Sequence, residues 1–279
     1  MTNQKSNAKS LVLVGVLLLL GLATLGLMWW YKNSTEKVLQ TVNHTTQKTP
    51  ETPEEAAVLA FFEEKQFLKP SKQKGEMHIQ TPHFLLSFSE KNRQAHWVSY
   101  RIEAQYLSNK SPLGIPAKPL AGHEDLPTLD EQKMAKKGLV LGNLLPIADM
   151  KIDRETMTTA NAYPLKVLMS EGFRDGIWRS LGQFGRNLAR ERGDLLVFSG
   201  AIFEASKEED AKPPKAFYRI YLDFKPGQWN YQAYLIPAYE MGKTSLNDYQ
   251  TSLEHLSGIL PFEIMDCIPP EMHDAISEL

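Results

Sequence analysis

Near the middle of the chain, Gly138 to Met150 reads GLVLGNLLPIADM. Gly142 and Pro146 mark a shaped turn, Ala148-Asp149-Met150 leads into a helical pattern, and the centre offers one polar side chain, Asn143. An amide does not titrate near neutral pH, so Asn143 cannot take a proton from water. Asp149 is the acid closest in sequence, and it reads either as a metal ligand or as a structural hydrogen-bond acceptor at a helix start. His96 and His123 are the other candidate bases. His96 sits beside Trp97 on an alternating run, where packing outweighs function. The run His123-Glu124-Asp125 could ligate a metal only through an unusual turn, because three adjacent residues do not all point inward. His78 and His83 read as strand-face residues, and His255 and His273 as solvated. Arg179, Arg186 and Arg190 share one helix side at i, i+7 and i+11. With Arg174 and Arg192 they would form a basic stripe for phosphates, or else a solvated face complementing the helix dipole; the solvated face is the preferred reading.

These residues need elements to position them. Val98 to Ile102 and its flanks alternate as a strand, and so does His78 to Ser89. Residues 108 to 137 are rich in Pro, Lys and Asp and read as a long loop. Asp153 is placed to cap a helix. Ile177, Leu181, Phe184 and Leu188 trace one apolar stripe on a helix from about Phe173 to Arg192, and Gly193 ends it. Leu195 to Phe203, Ala216 to Phe224 and Tyr231 to Pro237 read as strands. Glu54 to Leu68 and Ser245 to Leu260 read as helical, the latter followed by proline-containing coil. Strands and helices in separate blocks indicate an α+β domain.

The chain has 279 residues, a formal net charge of -2 and one cysteine, Cys267. That charge gives no global attraction to nucleic acid or acidic membranes. One cysteine excludes an internal disulfide and a cysteine-built metal site; in PFEIMDCIPP it reads as a small buried hydrophobe. Leu11 to Tyr31 carries no charge and is long enough to cross a bilayer, with Trp29, Trp30 and Tyr31 at its end as interfacial anchors. The expected organisation is a short tail over 1–10, a transmembrane anchor over 11–31, a polar linker over 32–53 and a folded domain over 54–279. Lys5 and Lys9 favour a cytoplasmic N-terminus and an exported domain, periplasmic in a bacterium.

Several segments carry a resemblance when taken in order. They are WVSYRI at Trp97 to Ile102, LPIADM at Leu145 to Met150, GFRDGIW at Gly172 to Trp178, LLVFSGAIF at Leu195 to Phe203, then FYRIYLDF and TSLEHLSGI. Together they resemble the DNA/RNA non-specific endonucleases, the ββα-metal nucleases, over about Phe84 to Leu279. The resemblance implies an α+β, ββα-metal nuclease-like fold, an antiparallel sheet flanked by helices.

The resemblance also implies a chemical kit. A histidine base activates water, a magnesium ion held by an asparagine stabilises the scissile phosphate, and arginines brace it. The family's Asp-Arg-Gly-His falls on Val140, Leu141, Gly142 and Asn143, so only the glycine remains. A further family asparagine falls on Leu165. The metal-carrying asparagine falls on Arg174, and a cation there repels a metal ion. The helix glutamate falls on Gly182, and the arginine four residues later is kept as Arg186. The expectation is a membrane-anchored, catalytically inactive endonuclease-like protein with a binding, scaffolding or regulatory role and no cofactor. Its partners would be the membrane, nucleic acid, a second copy or an active nuclease relative. The alternative is an active magnesium-dependent endonuclease with a relocated base, drawn from His96 or His123 and using Asp149.

Overall fold

A computed structural model describes residues 67–112, 114–204, 211–225, 228–239, 245–268 and 276–278, with 60, 270 and 273. The chain divides into two compact units, Met1–Glu51 and Thr52–Leu279. The second holds every element below. The apolar span Leu11 to Tyr31, the linker and most of the helix expected over Glu54 to Leu68 lie outside the described residues. Among the described residues no helix is long and apolar enough to cross a membrane.

The main sheet begins with β1 (Glu76–Gln80), β2 (Phe84–Ser89) and β3 (Gln94–Ile102). It continues through β6 (Leu195–Ile202), β7 (Ala216–Lys225) and β8 (Gln228–Pro237), each antiparallel to its neighbour. The single strand expected over His78 to Ser89 is thus a hairpin. Thr81 Oγ1 accepts from the backbone N–H groups of His83 and Phe84 and breaks the run there, the local turn that a threonine before a proline can build. Two short strands complete the sheet against β8: β9 (Gln250–Thr251), antiparallel, and β10 (Ile276–Glu278), parallel. The parallel pair departs from an all-antiparallel sheet and falls where the sequence reads as coil.

The sheet is buried on both faces, which explains the unbroken apolar run of β6. Leu195 and Val197 face one core, with Tyr100, Phe217 and Tyr221 from the sheet. Leu196 and Phe198 face the other, with Trp97, Tyr218 and Trp229. Period-two alternation sends successive side chains to opposite faces.

The first core is covered by α2 (Arg154–Ala160), α3 (Arg179–Arg192) and a separate ribbon of β4 (Leu139–Asn143) and β5 (Lys166–Ser170). The sequence reading missed this ribbon, because VLMS and LVLGN are too short to show a period. Asp153 caps α2 by accepting from Thr156 N at 2.7 Å. Glu171–Phe173 and a wide turn over Arg174–Trp178 precede α3, with a kink at Gly176. Gly193 ends α3 at φ 103°, a conformation that suits glycine. The long connection over 108–137 is mostly irregular but contains α1 (Glu131–Ala135), capped by Asp130.

The second core is covered by α4 (Leu253–Ser257) and the segment after it. A continuous helix over Ser245 to Leu260 does not form: Leu246–Tyr249 is a tight turn, β9 follows, and Ser252 restarts the chain as an N-cap. Cys267 is only partly buried, and burial pushes its thiol up to about 12. His273 is not simply solvated, since its Nε2 lies 2.9 Å from the carbonyls of Met265 and Ile268.

Candidate functional site

The β4–β5 ribbon pairs Asn143 with Lys166, Gly142 with Val167 and Leu141 with Leu168. A side chain at position 142 would collide with Met169, whose Sδ lies 2.4 Å from where a Cβ would stand. The end of β4 is then pinned from three sides. Trp178 Nε1 donates to Asn143 O at 3.0 Å, while Ser199 Oγ and Arg219 Nη2 donate to Leu144 O at 3.1 and 3.0 Å. Leu144 N donates to Leu165 O at 3.2 Å. The backbone at the suspected centre is therefore rigidly placed, whatever its side chain can do.

Beside it lies an open cleft of about 510 Å³, lined among others by Leu141, Asn143, Lys166, Arg174, Gly182 and Arg186. Four of the substituted positions thus share one cleft: Leu141, Asn143, Arg174 and Gly182. Leu165 does not join them, being fully buried in the core. Val140 stays half-buried on the ribbon outside the cleft lining.

Asn143 Nδ2 donates to Asn161 Oδ1 at 3.2 Å, and Lys166 Nζ donates to the same oxygen. Asn161 is fixed in turn by donating to Ile115 O at 2.9 Å. Burial pulls the Lys166 ammonium down to about 8, with Glu131 opposing and Arg174 reinforcing that shift. Sequence reasoning missed both Asn161 and Lys166, since neither belongs to a motif and only the ribbon and the α2 terminus bring them to Asn143.

Arg174 grips Asp175 with both arms, Nε to Oδ1 at 3.0 Å and Nη2 to Oδ2 at 2.7 Å. Arg179 adds a bond to Oδ1 at 2.8 Å. Arg174 holds the Asp175 carboxyl down at about 2. The expected arginine stripe is broken up by such pairing. Arg186 is bonded to Asp149 at 2.7 Å, and Arg190 to Asn187 at 2.9 Å on the exposed helix face.

Asp149 is structural. Its side chain is 1% exposed and it accepts from Arg186 and from Tyr100 OH at 2.9 Å. Burial raises its carboxyl while Arg186 and Arg219 counter that rise. Arg219, fully buried, stacks over Trp178 at 4.0 Å and donates to Ser199 Oγ and Tyr221 OH. His96 is elsewhere. Its Nδ1 lies 2.8 Å from Glu76 Oε1, and it lines a separate cleft with Trp97 and Phe203 that shares no residue with the first. His123 sits in a turn bridged to Leu120. Neither histidine reaches Asn143's cleft, because their strand and loop positions point to other parts of the surface.

A magnesium ion is the family's cofactor, and the donor set here does not fit it. Hard divalent cations take carboxylate and carbonyl oxygens. The cleft presents Lys166, Arg174, Arg179 and Arg186, and its carboxylate Asp175 is already shared by two guanidiniums. Among the described residues no cluster of three His, Cys, Asp or Glu is arranged to hold a metal.

A mixed α/β domain with an antiparallel central sheet, and a conserved frame around an altered cleft, defines the class of protein. The family model for DNA/RNA non-specific endonuclease matches residues 64–262, and the chain belongs to that family. Nuclease C1 of Cunninghamella echinulata var. echinulata is 23% identical over 205 residues, covering 66% of this chain and 81% of that protein. A chain in the crystal structure of the EndoG/EndoGI complex shares the fold, with a TM-score of 0.65 at 14% identity, over 82% of this chain and 97% of that one.

Proposed function

We propose that this chain is a catalytically inactive member of the family, anchored in a membrane by Leu11 to Tyr31, whose domain binds rather than cuts. Nucleic acid is the ligand its basic cleft suits best. The observation that carries this reading is the pair Asn143 and Arg174. The base position holds an amide occupied with Asn161, and the metal position holds a guanidinium clamped by Asp175. Loss of a general base alone costs ~10²- to 10⁴-fold in rate. Loss of the metal removes further stabilisation of the phosphate charge. A second copy or an active relative would be the protein partner, and scaffolding or regulation the role.

The test is cleavage of plasmid DNA and RNA by the purified full-length chain, with magnesium or manganese and with EDTA. A gel-shift assay under the same conditions reads binding. The expected result is no metal-dependent cleavage and retained binding in EDTA. Metal-dependent cleavage that survives purification and is lost in His123→Ala or Asp149→Ala would instead establish the active, relocated-base alternative.

A further inference from the structure

Gly182 lies on the buried side of α3, at the floor of the cleft. A Cβ there would stand 3.4 Å from Arg186 Nη1, 3.6 Å from Arg219 Nη1 and 3.6 Å from Pro146 Cγ. Two guanidiniums from different elements therefore converge on a residue with no side chain. Ordinary van der Waals spacing on all sides means the recess accepts added atoms without displacing its walls.

The charge around this recess is unbalanced. Asp149 bonds Arg186 and Tyr100. Arg219 is completely buried and bonds only neutral groups: Ser199 Oγ at 3.2 Å, Leu144 O at 3.0 Å and Tyr221 OH at 3.4 Å, with the Trp178 face beside it. The phenols do not serve as counter-ions, since burial pushes Tyr221 up to about 12 and Tyr100 higher still. One buried carboxylate thus faces two guanidiniums. A buried charge without a compensating charge is costly, and the mouth of the recess adds more cations, Lys166, Arg174 and Arg179.

We propose that the recess at Gly182 is an oxyanion site for a phosphate group, contacted directly by Arg186 and stabilised from beneath by the charge of Arg219. Arg186 can make the contact because its side chain keeps 11% exposure and has N–H groups beyond those given to Asp149 and Gln183. Planar guanidinium donors match phosphate oxygens well. This deepens the binding reading of the cleft and rests on it where the phosphate belongs to nucleic acid. Free inorganic phosphate carries the same chemistry.

The experiment titrates the full-length chain with inorganic phosphate by calorimetry and thermal shift, with chloride as control, and repeats it for Gly182→Glu and Gly182→Gln. The glutamate fills the recess with a carboxylate, whereas the glutamine fills it without charge. Phosphate affinity is expected to fall at least ~10-fold in Gly182→Glu and less in Gly182→Gln, because charge adds to steric blockage. Gly182→Glu without phosphate is expected to melt higher than Gly182→Gln, having supplied the missing counter-charge. Arg186→Lys keeps a cation on Asp149 but loses the fork, and it should weaken phosphate several-fold even if Gly182→Glu does not fold. A labelled oligonucleotide displaced by phosphate, in EDTA, would identify the nucleic-acid source. Phosphate binding without displacement would identify the free ion. Unchanged phosphate affinity in both Gly182→Glu and Arg186→Lys, or none in the wild type, overturns the site. Oligonucleotide binding that persists unchanged in those variants would leave the broader binding reading intact while removing this one.

Discussion

At the residue scale, the altered cleft is a set of side chains that occupy one another. Asn143 and Lys166 share Asn161, and Arg174 and Arg179 share Asp175. Restoring one residue therefore should not restore chemistry. Asn143→His is expected to remain without metal-dependent nicking of plasmid, because Arg174 still repels the cation; a measurable gain would show that the metal position is not blocked. Lys166 gives a pH signature. Its folded-state value of about 8 lies below the ordinary 10.5, so the folded chain releases this proton first. Between those two values the unfolded chain binds more protons, and stability rises with pH. Glu131 and Arg174 face the same ammonium and are part of that balance. Urea midpoints measured across this window should rise in the wild type and stay flatter in Lys166→Met.

At the scale of elements, α3 is held against the sheet by a close approach and an ion pair. A Cβ at Gly185 would come within 2.3 Å of the Tyr221 ring, and that ring is fixed by donating to Leu181 O at 2.7 Å. Gly185→Ala is therefore expected to cost ~1–3 kcal/mol by overpacking, despite its better helix propensity. Equal or higher stability in a denaturant titration would mean that the helix can move off the sheet. Arg186→Gln leaves Asp149 buried without its cation and should cost ~3–5 kcal/mol, the range for breaking a buried pair. Much of α3 was legible beforehand. Its stripe and Gly193 stop follow from local rules, whereas its kinked entry at Gly176 does not. The β4–β5 ribbon was illegible because each strand is stabilised by its partner and by the core rather than by its own pattern.

For the whole molecule, a net charge of -2 coexists with a cleft in which cations outnumber carboxylates. Binding of a polyanion should therefore be local and salt-dependent, weakening as salt rises because neutralised phosphates release counterions. The anchor makes a separate prediction. Full-length chain should stay with membranes through alkaline carbonate extraction. The double change Leu17→Arg and Leu18→Arg should release it, since each arginine at a helix centre costs ~2.5–3.5 kcal/mol of insertion. Extraction of the unaltered chain would sink the anchor reading.

The sequence by itself determined the family-like order of strands and helices, the apolar span and the replacement of the base, metal and glutamate positions. These are properties of residue type and linear spacing. Tertiary structure decided which polar groups meet. It paired Asp149 with Arg186 and Tyr100, turning a candidate metal ligand into a core ion pair. It carried His96 to Glu76, away from the cleft, and brought Lys166 and Asn161 to Asn143. It also set Gly182 over two guanidiniums contributed by separate elements. Such contacts join residues far apart in the chain, and burial then fixes their charge states. Neither the contact nor the burial is written in local pattern, which is why the loss of the old chemistry could be read from sequence while the electrostatics that replaced it could not.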